Sequence, residues 1–330
     1  MSYTIDVYRN NELRTQNFID FALYVTFFPQ LIAGPILRSA QFLPQLLTKR
    51  TIDAGQVNDG ITYILRGLAK KIIFADTLAL YVDVVFAAPD DFGAVNIWFA
   101  LYAYTYQIYF DFSGYSDIAI GLGKLMGFNI PKNFDLPYLA RNPSEYWNRW
   151  HISLSTWLRD YLYFTLGGSK SSSNLKVYRN LFLTMMLGGI WHGASWGIFI
   201  WGAFHGLWLI VHRILFREHK LMEIPDWIAR IATFHLLCIG FLFFRSESFG
   251  AIPVLLSGLF DHTSKTYAIP IGILVIFILG AISHILGGSK SLQQLWDDMW
   301  PEFRGLVYAV VVLGIWIYTK EAQNFIYFQF

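Results

Sequence analysis

Along the chain, apolar stretches about twenty residues long alternate with short polar connections, and about twenty apolar residues is what a helix needs to cross a bilayer. Residues 268–286 carry no charge, residues 231–244 are uncharged with Arg230 at their edge, and residues 305–318 form a shorter continuous run. All three read as membrane spans. Residues 181–211 are 31 positions without a formal charge, too long for one upright helix, and they hold Gly188, Gly189, Gly193, Gly197, Gly202 and Gly206. This run is expected to bend or divide. Residues 96–110 read as a further span, and residues 72–88 as a candidate span that carries Asp76 and Asp83. A carboxylate at membrane depth costs about 2.5–3.5 kcal/mol on insertion scales, so both should face protein or water.

Residues 21–37 are apolar but contain Pro29, Gly34 and Pro35, which interrupt a helical ladder. The segment reads as a re-entrant or broken helix. Irregular backbone persists at membrane depth only where protein or a water-filled cavity takes up its hydrogen bonds. A tunnel and a kinked helix packed on its neighbours both satisfy that condition. There is no internal repeat and no soluble domain, and GGSKSSSN at 167–174 is the clearest flexible loop. The expected architecture is all-α: one polytopic membrane domain over residues 1–330, a helical bundle with broken or re-entrant helices around a tunnel.

Composition narrows the possible functions. The 330 residues are 55% hydrophobic, 18% aromatic and 15% charged, against about 25% charged in an average soluble domain, and mean hydropathy is +0.41. Twenty-five Lys and Arg against twenty-three Asp and Glu leave a formal charge of +2, too balanced for a nucleic-acid binder. Membrane lipid is the expected surrounding. Cys238, the single cysteine, lies in FHLLCIGFLFF, which excludes an intrachain disulfide and makes the thiol a poor nucleophile. Arg213, Arg217, Lys220 and Arg230 mark the loop after residue 212 as cytoplasmic by the positive-inside rule. The N-terminal MSYTIDVYRNNELR lacks the apolar core of a signal peptide.

Candidate chemistry concentrates in two stretches. In RNPSEYWNRWHISLSTWLRDYLYFTLGG, residues 141–168, a helix is expected to start at Pro143, with Trp147, Trp150, Leu154, Trp157 and Tyr161 on one stripe and Asn148, His151, Ser155 and Arg159 on another. This is either an interfacial amphipathic helix whose histidine merely hydrogen-bonds, or a helix holding His151 in a polar site. In LGGIWHGASWGIFIWGAFHG, residues 187–206, His192 lies deep in an uncharged run. A neutral imidazole there is a competent general base, and a core histidine bonded between packed helices is the alternative. Gly189, Gly193 and Gly197, spaced by four, would clear one helix face.

GASWG at 193–197 spells a nucleophile-elbow pattern, but no strand precedes it, so Ser195 is not expected to act as a nucleophile. GLGKLMG at 121–127 is set aside as a dinucleotide motif for the same reason. His205 and His212 are read as marking the end of a span. In YFDFSGYSDIAIG, residues 109–121, Asp111 and Asp117 either orient a substrate at a cavity mouth or serve structure, Asp117 capping the next helix and Asp111 pairing with a basic residue. The structural role is favoured. No metal motif is present, and no metal or bound cofactor is expected.

At these residues the sequence resembles the membrane-bound O-acyltransferase family, in its alginate O-acetyltransferase branch. The resemblance rests on YWNRWHISLSTWLRDYLY followed by LGG, on LGGIWHGASW and WGAFHG, and on FPQLIAGPILR, IYFDFSGYSDIAIGLGKLMGFNIP and the closing FIYFQF. It implies a helical membrane fold with a tunnel, an acyl thioester donor, and transfer to a hydroxyl or a partner protein. It also implies that His192 of the WHG motif is catalytic and that His151 of the RWHISLS motif is its second histidine, 41 positions away. Two departures stand out. Members of the family place several spans before the segment matching SYTIDVYR, so the chain looks like the C-terminal two-thirds of one, and Phe164-Thr165 replaces an apolar residue and proline before LGG.

The expected chemistry is direct transfer. His192 takes the proton of an acceptor hydroxyl, the hydroxyl attacks acetyl-CoA arriving from the cytoplasm, and His151 orients the acceptor or stabilises the oxyanion. Asn148, Ser155, Arg159, Asp111, Asp117 and Trp191 are the candidate substrate- or tunnel-lining residues. The expected acceptor is an alginate-like polysaccharide, reached with an extracytoplasmic partner protein, at the bacterial inner membrane. Peptidoglycan acetylation, teichoic acid D-alanylation, and transport of an acyl carrier or lipid-linked glycan are the alternatives.

Overall fold

The structure is a computed structural model that describes residues 1–10, 14–170, 173–219, 224–246, 248–319 and 325. Ser171, Ser172, Lys220 and most of the closing FIYFQF lie outside the described residues. Among the described residues every regular element is helical.

The first elements are short because proline and polar residues interrupt them. α1 (Ser2–Arg9) and α2 (Phe18–Val25) precede a 3-10 turn, Phe28–Gln30, and α3 (Ser39–Leu47) follows. Residues 21–37 are therefore a broken helix, as their prolines predict. The freed backbone is satisfied by protein: the Gln30 amide donates to Tyr24 O and accepts from Leu37 N–H, and the Tyr24 hydroxyl donates to Leu37 O. Phe27, Phe42 and Phe128 pack around this knot with ring centroids 4.6–5.0 Å apart.

α4 (Ala54–Leu68), a π-helical stretch Ala69–Ala75 and α5 (Asp76–Ala87) run end to end, and α6 (Ala94–Leu125) returns beside them. Glycines set the spacing of α4 and α6. A Cβ on Gly67 would stand 2.5 Å from Gly114 O, and one on Gly121 would stand 2.6 Å from Gly60 O. Two pairs seven residues apart thus let the backbones touch.

Most of α6 is buried, so the span read over residues 96–110 is the core of the fold rather than a lipid-facing helix. It continues unbroken through Asp111 and Asp117, and this corrects the expectation that Asp117 caps a following helix. Its carboxylate instead accepts from Arg66 at 2.8 Å and Lys70 at 2.7 Å. Lys71 Nζ lies 2.6 Å from Asp111 and 2.7 Å from Asp76, and Arg245 lies 2.9 Å from Asp83. Asp76, Asp111 and Asp117 are thus buried against protein, while Asp83 is paired but half-exposed, which meets the requirement that such carboxylates face protein or water.

After α7 (Pro143–Arg149) and α8 (Ile152–Trp157), a π-helical stretch Leu158–Tyr163 leads to the hairpin of α9 (Asn174–His192) and α10 (Trp196–His212). The long uncharged run divides at Gly193–Ser195, as expected. Gly189, Gly193 and Gly197 consequently do not share a helix face. Gly193 follows α9, Gly189 lies against Gly202 of α10, and Gly197 lies against the carbonyls of Phe243 and Ser246.

The chain closes with α11 (Asp226–Arg245), α12 (Ala251–Gly258), α13 (Ile271–Leu286), α14 (Lys290–Asp297) and α15 (Pro301–Tyr318). Trp196–Glu218, α11 and α15 are each long and apolar enough to cross a membrane, and α13 qualifies joined to α14, which turns from it by 93°. α15 buries none of its residues in the rest of the chain, which suits a helix solvated by lipid.

Candidate active site

The segment around His151 is not the continuous amphipathic helix that its spacing predicts. Asn142 caps α7 by accepting from Glu145 N–H at 2.8 Å, and Pro143 occupies the first turn. The helix then stops at Arg149, Trp150 is extended, and His151 adopts φ 42° and ψ 55° before α8 begins. The left-handed region costs an L-residue roughly 1–2 kcal/mol, so something must hold it.

That something is Asn133, fully buried and unflagged by any pattern in NIPKNFDLP. Its backbone oxygen accepts from Ile152 N–H at 2.9 Å. Its side-chain oxygen accepts from Ser153 N–H at 3.1 Å and Ser153 Oγ at 2.9 Å, and lies 3.2 Å from His151 Nδ1. Its amide nitrogen donates to Ser116 Oγ on α6 at 3.2 Å, and Ser153 Oγ accepts from Ile36 N–H at 3.0 Å. One asparagine ties the histidine turn to α6 and, through Ser153, to the N-terminal segment. Because a backbone N–H can only donate, the atom facing Ser153 N–H is the amide oxygen; His151 Nδ1 therefore carries a hydrogen and Nε2 a lone pair. The ring is 4% exposed and meets Phe112 edge-on at 4.6 Å.

His192 ends α9 just before the break, and Ser195 caps α10 by accepting from Ile198 N–H at 3.3 Å. Capping accounts for the serine of the GASWG pattern. The His192 ring is half-buried between Trp191, Trp201 and Phe244, with centroids 5.0, 5.5 and 5.8 Å away. It lies within electrostatic range of His151. Trp191 itself is 60% exposed. The structure thus brings together the two histidines that the motifs single out.

A third histidine was misread. His212 does close α10, but His205 sits in mid-helix, 1% exposed, among Tyr146, Trp147, Trp201 and Trp208 with centroids 4.9–6.1 Å away. It supports Trp201, which in turn packs on His192. Its position in WGAFHG was the available signal.

Beside these rings lies a cavity of about 400 Å³ lined by Asn148, Ser155 and Arg159, with Trp147, Ile152, Met185, Arg213 and Arg217 among its other walls. Three of the four residues of the predicted polar stripe therefore share one cavity. His151 does not, because the left-handed turn rotates it toward α6. Trp147, one of the cavity's walls, meets Trp201 edge-on at 5.8 Å, and Trp201 packs on His192. Asp160 is paired with Arg159 and Arg38, each at 2.7 Å; partial burial disfavours its charge, but these guanidiniums hold it below the usual carboxylate range. Asp111 and Asp117, held in the ion pairs of α6, do not line this cavity among its described walls.

The profile of the membrane-bound O-acyltransferase (MBOAT) family matches residues 7–248. The chain belongs to this family. It is 48% identical over 248 residues to the probable alginate O-acetylase AlgI of Pseudomonas aeruginosa, covering 75% of this chain and 47% of that protein. It is 33% identical over 343 aligned positions to the peptidoglycan O-acetyltransferase of Helicobacter pylori, covering 95% of this chain and 65% of that one. Over 240 positions it is 30% identical to the teichoic acid D-alanyltransferase of Bacillus subtilis, covering 68% and 61%. The chain spans about half the length of the alginate O-acetylases it matches. Within this MBOAT protein the matched region contains both motif histidines, Asn133 and the cavity.

Proposed function

We propose that this protein is a multi-pass acetyltransferase of the bacterial inner membrane. It moves an acetyl group from acetyl-CoA on the cytoplasmic side to a hydroxyl of an alginate-like polysaccharide, directly or through an extracytoplasmic partner protein. The observation that carries the proposal is that His151 and His192, 41 positions apart in sequence, come within electrostatic range beside a cavity lined by Arg159, Arg213 and Arg217.

Guanidiniums recognise phosphate oxygens in bidentate fashion, and Leu158, Met185 and Leu209 line the same cavity, as a pantetheine arm requires. Its volume falls in the range of about 300–1,000 Å³ common for small-molecule sites. The indole of Trp147 must swing aside for the thioester to reach His192. His192, half-buried rather than sealed, then accepts the proton of the acceptor hydroxyl. The alkoxide oxygen attacks the thioester carbonyl, the new C–O ester bond forms as C–S breaks, and the thiolate recovers the proton from His192. His151, with Nε2 free of a hydrogen, fits the task of accepting a hydrogen bond from the hydroxyl and orienting it, and does not fit that of an oxyanion donor. General base assistance contributes typically 10²–10⁴-fold, and alignment of two bound reactants adds to it.

The test is His192→Ala and His151→Ala, each assayed for polysaccharide acetylation in cells at matched protein levels. Loss in both is expected. Unchanged acetylation in His192→Ala overturns the assignment of the base, and full activity in His151→Ala reduces that residue to a structural role. Purified protein in detergent should transfer acetyl from acetyl-CoA or hydrolyse it, whereas a transporter would do neither. A second reading, peptidoglycan as acceptor, is favoured by the match to the Helicobacter pylori relative, which extends over 95% of this chain. Acetyl analysis of isolated peptidoglycan from cells with and without the protein separates the two acceptors.

A further inference from the structure

Asn133 also lines a second cavity, of about 590 Å³, that the proposed reaction does not use. Arg66, Lys70, Lys132 and Lys290 line it against the carboxylates of Asp117 and Asp135. Arg66 and Lys70 share Asp117, and Lys132 pairs with Asp135 at 2.7 Å. Four cations facing two anions leave the lining positive.

His284 closes one wall at 2% exposure. Its Nε2 lies 3.3 Å from Tyr138 N–H and accepts from it, so Nδ1 carries the hydrogen. That nitrogen is sealed from solvent and has no hydrogen-bond partner, so it is a cost inside the wall rather than a contact offered to the cavity. Excess positive charge around a cavity of this size defines a site for an anion.

Its place in the fold identifies the kind of anion. Gly287, Gly288, Lys290 and Gln293 bring the junction of α13 and α14 into the wall. α14 leaves the spanning direction by 93°, and Leu292, Leu295 and Trp296 recur on one of its faces at helical spacing. A short amphipathic helix perpendicular to a span lies in the headgroup layer. Phe74, Phe110 and Ile120 add apolar wall beside the cations. We propose that this cavity binds the phosphate of an anionic phospholipid headgroup.

The test uses native mass spectrometry of the full chain purified in detergent, titrated separately with phosphatidylglycerol, phosphatidylcholine and inorganic phosphate. Wild type is compared with the double variant Lys132→Ala/Lys290→Ala. Both lysines are exposed, so the variant should fold, and thermal melting verifies this. Phosphatidylglycerol should bind at least tenfold more tightly than phosphatidylcholine, inorganic phosphate should not reproduce it, and the variant should lose about tenfold in phosphatidylglycerol affinity alone. Equal binding of the two lipids, equal phosphatidylglycerol binding by variant and wild type, or inorganic phosphate binding as tightly as the lipid would overturn the proposal.

Discussion

Asn133 accepts hydrogen bonds on both its oxygens within three residues of the strained His151. Replacing it by alanine takes the acceptor from three donors, His151 Nδ1–H, Ser153 N–H and Ser153 Oγ–H, at about 1–3 kcal/mol for each that stays buried and unpaired. Asn133→Ala should therefore lower the melting temperature and reduce acetyl transfer at least tenfold. Asn133→Asp keeps the acceptor and should keep the turn. A carboxylate beside the ring favours the imidazolium, so more of the His151 population is protonated at a given pH, and the acid limb of the rate profile should move to higher pH. An unmoved acid limb with normal folding would show that His151 does not titrate in the reaction. The histidines themselves were legible in the sequence, because the RWHIS and WHG motifs name them. Asn133 was not, because its role exists only when residues 133 and 151–153 meet, and no periodicity records a contact across a loop.

Among the elements, the boundaries that sequence reasoning found are those set by local chemistry. Pro29 and Pro35 break residues 21–37, the glycine-rich run 181–211 divides as expected, here at residues 193–195, and Pro143 opens α7. The boundary it missed, at Trp150–His151, is imposed by tertiary contacts. Three- and four-residue spacing continues across it, and bonds from residues 133–135 to residues 149–153 hold the reversed backbone there. The capping role expected of Asp117 fails for a related reason: the helix does not end at Gly114, which is there to meet Gly67. That seam makes a sharp prediction. Gly67→Leu places a side chain where even a Cβ stands 2.5 Å from a backbone oxygen, and overpacking of this kind costs roughly 1–3 kcal/mol or more. The variant should fail to accumulate in membranes. Gly272→Ala on α13, where a Cβ meets nothing within 4 Å, should be neutral or slightly stabilising. Equal accumulation of the two variants would refute the close approach of α4 and α6.

For the molecule as a whole, the proposed reaction orders the first cavity and His192 from one side to the other: a mouth at Arg159, Arg213 and Arg217, an apolar throat bounded by Trp147, and a base reached past Trp201. If the mouth holds the phosphates of acetyl-CoA while the chemistry occurs at His192, charge at the mouth should govern binding and leave the chemical step nearly untouched. Arg217→Gln removes a guanidinium without emptying the throat. A charged hydrogen bond is worth about 1.5–3 kcal/mol, so KM for acetyl-CoA should rise roughly ten- to a hundredfold with kcat changed little. Acetyl-dephospho-CoA supplies the second arm of a double cycle. It lacks one phosphate, so if Arg217 contacts that phosphate, the variant and wild type should bind this donor alike, while additive losses would place Arg217 elsewhere along the nucleotide. Trp147→Ala should behave in the opposite way. Opening the throat changes how the thioester is presented to His192, so kcat should move and KM should not. A Trp147→Ala enzyme with raised KM and unchanged kcat would mean that the cavity is not the route by which the donor reaches the base.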